Sequence, residues 1–120
     1  MLIAVGGAAG ALARYVVAAS IQSRFPSSFP WGTFVVNVSG CFIMGLVASL
    51  VLDRVSAPVS LRFLLAVGFL GAYTTFSTFE LETFRAVTAR DWFAGGLNVG
   101  GSVVAGYVAL GAGVVLGRAL

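Results

Sequence analysis

Four apolar stretches, each long enough to form a membrane-crossing helix of ~20 residues, occupy most of this chain. They run over about residues 2–21, 32–52, 61–85 and 92–117, and the connections between them are too short to fold into a soluble unit. With 59% hydrophobic and 9% charged residues and a mean hydropathy of +1.03, the chain has lipid rather than water as its solvent. The pattern predicts an all-α integral membrane protein of four transmembrane helices, with residues 1–120 forming a single transmembrane domain. The first stretch has no basic n-region and outruns a signal h-region, so it is expected to remain as a helix.

The punctuation between the stretches supports these limits. Arg24-Phe25-Pro26-Ser27-Ser28-Phe29-Pro30 ends the first helix with two prolines. Trp31 sits where an interfacial aromatic belongs, Asp53-Arg54 and Pro58 follow the second helix, and Arg90-Asp91-Trp92 leads into the fourth. The third stretch is different: Gly71-Ala72-Tyr73-Thr74-Thr75-Phe76-Ser77-Thr78 places glycine and hydroxyl residues at mid-membrane depth. A third helix broken near the middle of the membrane is the expectation.

The net charge of +3 comes from seven scattered arginines without a basic run, which argues against a nucleic-acid partner. Cys41 is the single cysteine and there is no histidine, so intrachain disulfides, CxxC redox pairs, cysteine-rich zinc sites and the commonest metal ligand and general base are excluded. Four crossings put both termini on one side. Arg54, Arg62 and Arg118 then flank that side and Arg24, Arg85 and Arg90 the other, a balance that gives no preferred orientation. Dual topology is the resulting expectation.

Several polar residues fall inside the spans. Asn37 and Asn98 head the shared pattern N-V-x-G-x4-G, at one depth in two helices that run the same way. Chance in a composition rich in Gly and Val is one reading; a shared packing or polar role is the other, since polar groups in a bilayer usually face protein or water. Arg14 lies mid-way along the first stretch, where a charge costs ~2.5–3.5 kcal/mol. It either meets a partner or a water-filled cavity, or snorkels from a tilted helix. Gly6, Gly10 and Arg14 share one face, which suits close helix approach.

In the third helix Phe76 and Phe79 share a face, beside a stripe of Thr75, Thr78, Phe79 and Glu82. Hydroxyls next to ring edges, which carry the positive end of the quadrupole, would line a path for a small anion; core packing is the alternative. Thr33 with Asn37, and Asn98 with Ser102, add i, i+4 polar stripes of neutral groups suited to replacing the hydration of an ion. Glu80, Glu82 and Arg85 close the third helix near an interface, where a Glu82–Arg85 pair is expected. No acidic residue lies at a span centre, which speaks against a proton-coupled pump. The sequon at Asn37 lies within a span and is not accessible for glycosylation.

Taken in order, Gly6-Gly7-x-x-Gly10-Ala11-x-x-Arg14-Tyr15, Gly32-Thr33-x-x-Val36-Asn37-x-x-Gly40, Gly68-Phe69-x-Gly71-x-x-Thr74-Thr75-Phe76-Ser77-Thr78-Phe79 and Asn98-x-x-Gly101-Ser102 cover all four helices. On these motifs the chain resembles the Fluc (CrcB-type) fluoride channels. The resemblance implies a passive, fluoride-selective channel, not an enzyme, that exports the ion and lowers its cytoplasmic concentration, set in a bacterial inner membrane. It implies an antiparallel dual-topology homodimer with two pores and a structural sodium ion at the dimer centre, held by the backbone carbonyls of Gly71 and Thr74. Phe76 and Phe79 would offer ring edges to fluoride, and Asn37, Thr78 and Ser102 would donate hydrogen bonds. Thr33, Asn98 and Glu82 would flank the path, and Arg14 would stand in or near a vestibule. Ala72 and Tyr73 depart from the family's commoner residues, and their side chains are expected to matter little where backbone does the binding. The alternative is a small dual-topology proton-coupled multidrug exporter, which would want a glutamate where Arg14 stands.

Overall fold

A computed structural model describes residues 1–120, and its regular structure is helical throughout. Helix α1 covers Leu2–Arg24, longer than the expected 2–21, and its last turn is closed by the Phe25 amide donating to the Ile21 carbonyl at 3.0 Å. It stops at Phe25 (φ −123°, ψ 67°), where the ring of Pro26 disfavours helical backbone. Helix α2 covers Trp31–Leu52, with its last turn, Ala48–Leu52, wound wider as a π-turn.

The third span is two helices. Helix α3 covers residues 59–73 and starts directly after Pro58, whose fixed φ of −58° suits a helix entry; its middle, Arg62–Leu70, is also π-wound. Helix α4 covers Phe76–Thr88. Between them Thr74 (φ −77°, ψ 154°) and Thr75 (φ −147°, ψ 115°) are extended. The break is therefore narrower than the composition of residues 71–78 suggests, because Gly71–Tyr73 stay helical. Helix α5 covers Trp92–Ala119 and is N-capped by Asp91, whose carboxylate accepts from the Ala94 amide at 3.0 Å.

All four spans are long and apolar enough to cross a membrane, so the protein is a multi-pass membrane protein. The most extensive packing joins α2 to α5, while α1 lies along α3 and α4 lies along α5. The break thus moves the third span from one neighbour to another. Contacts are glycine-mediated: a Cβ on Gly10 would collide with the Phe69 carbonyl of α3, and one on Gly113 with the Phe42 carbonyl of α2. Gly6 meets α3 in the same way, which puts the shared Gly6–Gly10–Arg14 face against the third span. Only 23 of 120 residues are buried, and large apolar side chains such as Val16, Phe93 and Tyr107 are exposed, as a surface in contact with lipid or another membrane chain requires.

Candidate functional site

The site is organised around the two extended residues. In a continuous helix the Thr75 amide would bond the Gly71 carbonyl; here it donates to Asn37 Oδ1 at 2.8 Å, and Asn37 Nδ2 donates to the Thr75 carbonyl at 3.0 Å. The Thr78 amide would likewise bond the Thr74 carbonyl, but it donates to Thr75 Oγ1 at 3.3 Å, the N-cap of α4. Both backbone oxygens that the resemblance implies as ligands of a cation, those of Gly71 and Thr74, are therefore released from their ordinary helical partners. Hard carbonyl oxygens are suitable ligands for such an ion.

Helix α2 supplies the bed for the break. A Cβ on Gly40 would collide with the Thr74 methyl and crowd the Tyr73 ring at 3.3 Å, so the missing side chain at Gly40 makes room for the break as these side chains are placed. On the residue just before Gly40, Ser39 Oγ lies 2.9 Å from the Tyr73 hydroxyl. Tyr73 is buried and stacks on Phe69, with ring centroids 5.7 Å apart. Contrary to expectation, the Tyr73 side chain is a structural part of the break.

Two cavities meet here. The larger, about 890 Å³, is lined by Arg14, Gln22, Thr33, Thr78, Glu82, Arg85 and Asp91, among others. The smaller, about 340 Å³, is lined by Asn37, Cys41, Thr74, Phe76, Phe79 and Ser102, among others. Thr75 lines both. The smaller one is a groove on the surface of the single chain, since its wall residue Phe76 is 74% exposed. Phe79 is 7% exposed, and the two rings stand 5.7 Å apart, tilted by 36°.

The expected pathway residues divide between these spaces. Asn37, Phe76, Phe79 and Ser102 surround the groove, whereas Arg14, Thr33, Thr78 and Glu82 surround the larger cavity. Arg14 thus faces the cavity rather than lipid alone. Asn98 lines neither: it is 1% exposed and lies at the centre of a hydrogen-bond chain. Ser102 Oγ donates to Asn98 Oδ1 at 3.3 Å, Asn98 Nδ2 donates to Thr83 Oγ1 at 2.9 Å, and Thr83 Oγ1 donates to the Phe79 carbonyl at 2.9 Å. Asn98 therefore orients the helix that carries Phe79. The matched motifs at Asn37 and Asn98 do different work on one target, the second half of the third span. Sequence reasoning overlooked Thr83, although it continues the Phe79 stripe at i+4.

Which protons remain free to bind an anion can be counted. Thr33 Oγ1 donates to Glu82 Oε1 at 2.9 Å, Thr75 Oγ1 donates to Thr78 Oγ1 at 3.0 Å and Ser102 Oγ donates to Asn98 Oδ1 at 3.3 Å, so all three protons are committed, including that of Ser102, which was expected to face the anion. Thr78 accepts that bond and keeps its own proton, and the Asn37 amide keeps one of its two. Glu82 reaches across to α2 rather than along its own helix to Arg85, and its Oε2 is buried without a protein partner. At the lip, the backbone amide of Ala94 and then the Ser28 hydroxyl hold the Asp91 carboxyl below its ordinary value.

A small four-span membrane protein with a broken third helix and a neutral polar path beside paired phenylalanines is the class that this geometry defines. A model of the family described as "CrcB-like protein, Camphor Resistance (CrcB)" matches residues 1–114, and the chain belongs to that family. It is 50% identical over 118 residues to the fluoride-specific ion channel FluC of Solibacter usitatus, covering 98% of this chain and 97% of that one. The proteins of the same name from Maridesulfovibrio salexigens and Magnetococcus marinus are 43% and 45% identical, each match covering 94% of the relative and 98% and 97% of this chain.

Proposed function

We propose that this protein conducts fluoride passively across a bacterial inner membrane and lowers its cytoplasmic concentration. Membership of a family whose curated relatives carry the name of fluoride-specific channels supports this reading. The structural observation that carries it is the convergence of Asn37, Phe76, Phe79 and Ser102 beside a break whose backbone is held by Asn37. Fluoride is small and strongly hydrated, so a pore must replace many water contacts without a fixed positive charge that would retain the ion. One Asn37 N–H and the edges of the two rings in the groove are such contacts, with the Thr78 hydroxyl in the adjoining cavity. Arg14 and Arg85, in the wider cavity, raise the local anion concentration without binding at the narrow point.

The groove of one chain is open, and an antiparallel second copy would close it. Such a dimer also brings two Gly71 and two Thr74 carbonyls to its axis, a set of four hard oxygens for a structural sodium ion that bears no part of the flux. The arginine balance across the two sides supports dual topology. Liposomes holding the purified protein test the reading with fluoride- and chloride-selective electrodes. Fluoride release without chloride release is the expected outcome; no release from a folded dimer overturns it.

A further inference from the structure

The break is held at a second point that none of the anion-path residues uses. Tyr73, the last helical residue of α3, is 6% exposed. Its ring stacks on Phe69 at an interplanar angle of 12° and lies against Gly40, so the side chain has one place to go. Its hydroxyl is 2.9 Å from Ser39 Oγ. Ser39 donates its own proton to the Val36 carbonyl at 3.1 Å, which leaves Tyr73 as the donor and Ser39 as the acceptor. The next residue, Thr74, turns out of the helix, and its amide and hydroxyl both bond the Leu70 carbonyl at 3.1 Å.

We infer that the Tyr73 hydroxyl is a positioning group for the break: by tying the end of α3 to Ser39, it sets where Thr74 leaves the helix and where Thr75 meets Asn37. Asn37 fixes the break after the turn and Tyr73 fixes it before, so the backbone between them, with the Thr74 carbonyl and side chain, has a defined position. Inside a bilayer no water replaces the lost partner of a buried hydroxyl, and the register of the break depends on this bond. The inference rests on the reading of the groove as a fluoride pathway.

Tyr73→Phe keeps the ring and its packing and removes only the hydroxyl. The expected results are faster amide hydrogen exchange at Thr75, unchanged exchange at Gly106 in the middle of α5, and fluoride efflux per folded channel slowed roughly three- to tenfold. Ser39→Ala should do the same, and the double variant should be no slower than either single one. Unchanged exchange and efflux in Tyr73→Phe, equal acceleration at Thr75 and Gly106, or multiplied effects in the double variant would overturn the inference. Wild-type protein that releases no fluoride would overturn the channel reading instead, and Thr75 exchange would still decide the positioning role.

Discussion

Asn37 and Thr75, 38 residues apart, exchange two hydrogen bonds of 2.8 and 3.0 Å, so that a side-chain amide replaces the backbone partners that an unbroken helix would provide. The pairing makes a two-residue gap tolerable in a membrane, where an unsatisfied backbone group costs several kcal/mol. Asn37→Ala leaves both Thr75 backbone groups unpaired and is expected to destabilise the protein by about 2–5 kcal/mol. Thermal unfolding in detergent measures this, and fluoride efflux should fall with it. A variant as stable as wild type would mean that the break finds other partners.

Phe76 and Phe79 touch but are unequal. Phe79 is buried against α2 and α5, while Phe76 faces outward on the single chain. Phe79→Ile is expected to slow fluoride flux while leaving the assembly intact, at a stability cost of up to about 1.5 kcal/mol. Phe76→Ile should slow flux with no such cost to the single chain. Efflux and unfolding on the same samples separate the two effects, and unchanged flux in a folded Phe79→Ile variant would remove that ring from the path.

Thr33 provides the single protein hydrogen bond that Glu82 receives, because Oε2 has none. Thr33→Val therefore leaves a buried carboxyl group without protein donors, at an expected cost of about 1–3 kcal/mol. Adding Glu82→Gln should restore part of that stability by removing the group that Thr33 serves. Thermal unfolding of both singles and the double decides it; additive losses would show that the two residues act independently.

Arg90 has φ of 60°, in a turn where the Asp91 amide bonds the Ala86 carbonyl and the Arg90 amide bonds that of Val87. This is the helix-ending position that favours glycine, so Arg90→Gly should stabilise by about 1 kcal/mol. The same change leaves three arginines against two across the membrane, and tags at the termini should then shift toward one side. Evenly distributed tags in the variant would mean that Arg90 carries no topological weight.

The depressed Asp91 carboxyl gives a pH dependence of known sign. Its capping contribution is complete above the ordinary aspartate range and is lost as pH falls through the lowered value of the folded state. Asp91→Ala should be less stable than wild type at neutral pH, and the gap should close as pH falls below the ordinary aspartate range. Unfolding curves across that interval check this; a constant gap would assign the effect to something other than the charged cap.

The four spans, the discontinuity in the third and the polar character of Asn37, Thr33 and Ser102 were legible in the sequence because each depends on local composition. Hydropathy over ~20 residues selects a span, proline and paired threonines mark where helical bonding weakens, and i, i+4 spacing assigns a face. Tertiary structure alone decided which bonds those residues make. That Asn37 closes on Thr75, that Thr33 gives its proton to Glu82, and that Asn98 acts through Thr83 rather than lining a cavity depend on contacts between helices 15 to 49 residues apart along the chain. Helical periodicity fixes the face of a residue on its own helix but not the rotation or depth of the helix opposite. Here those are set by glycines such as Gly10, Gly45 and Gly113, which let neighbouring backbones approach closely at these points.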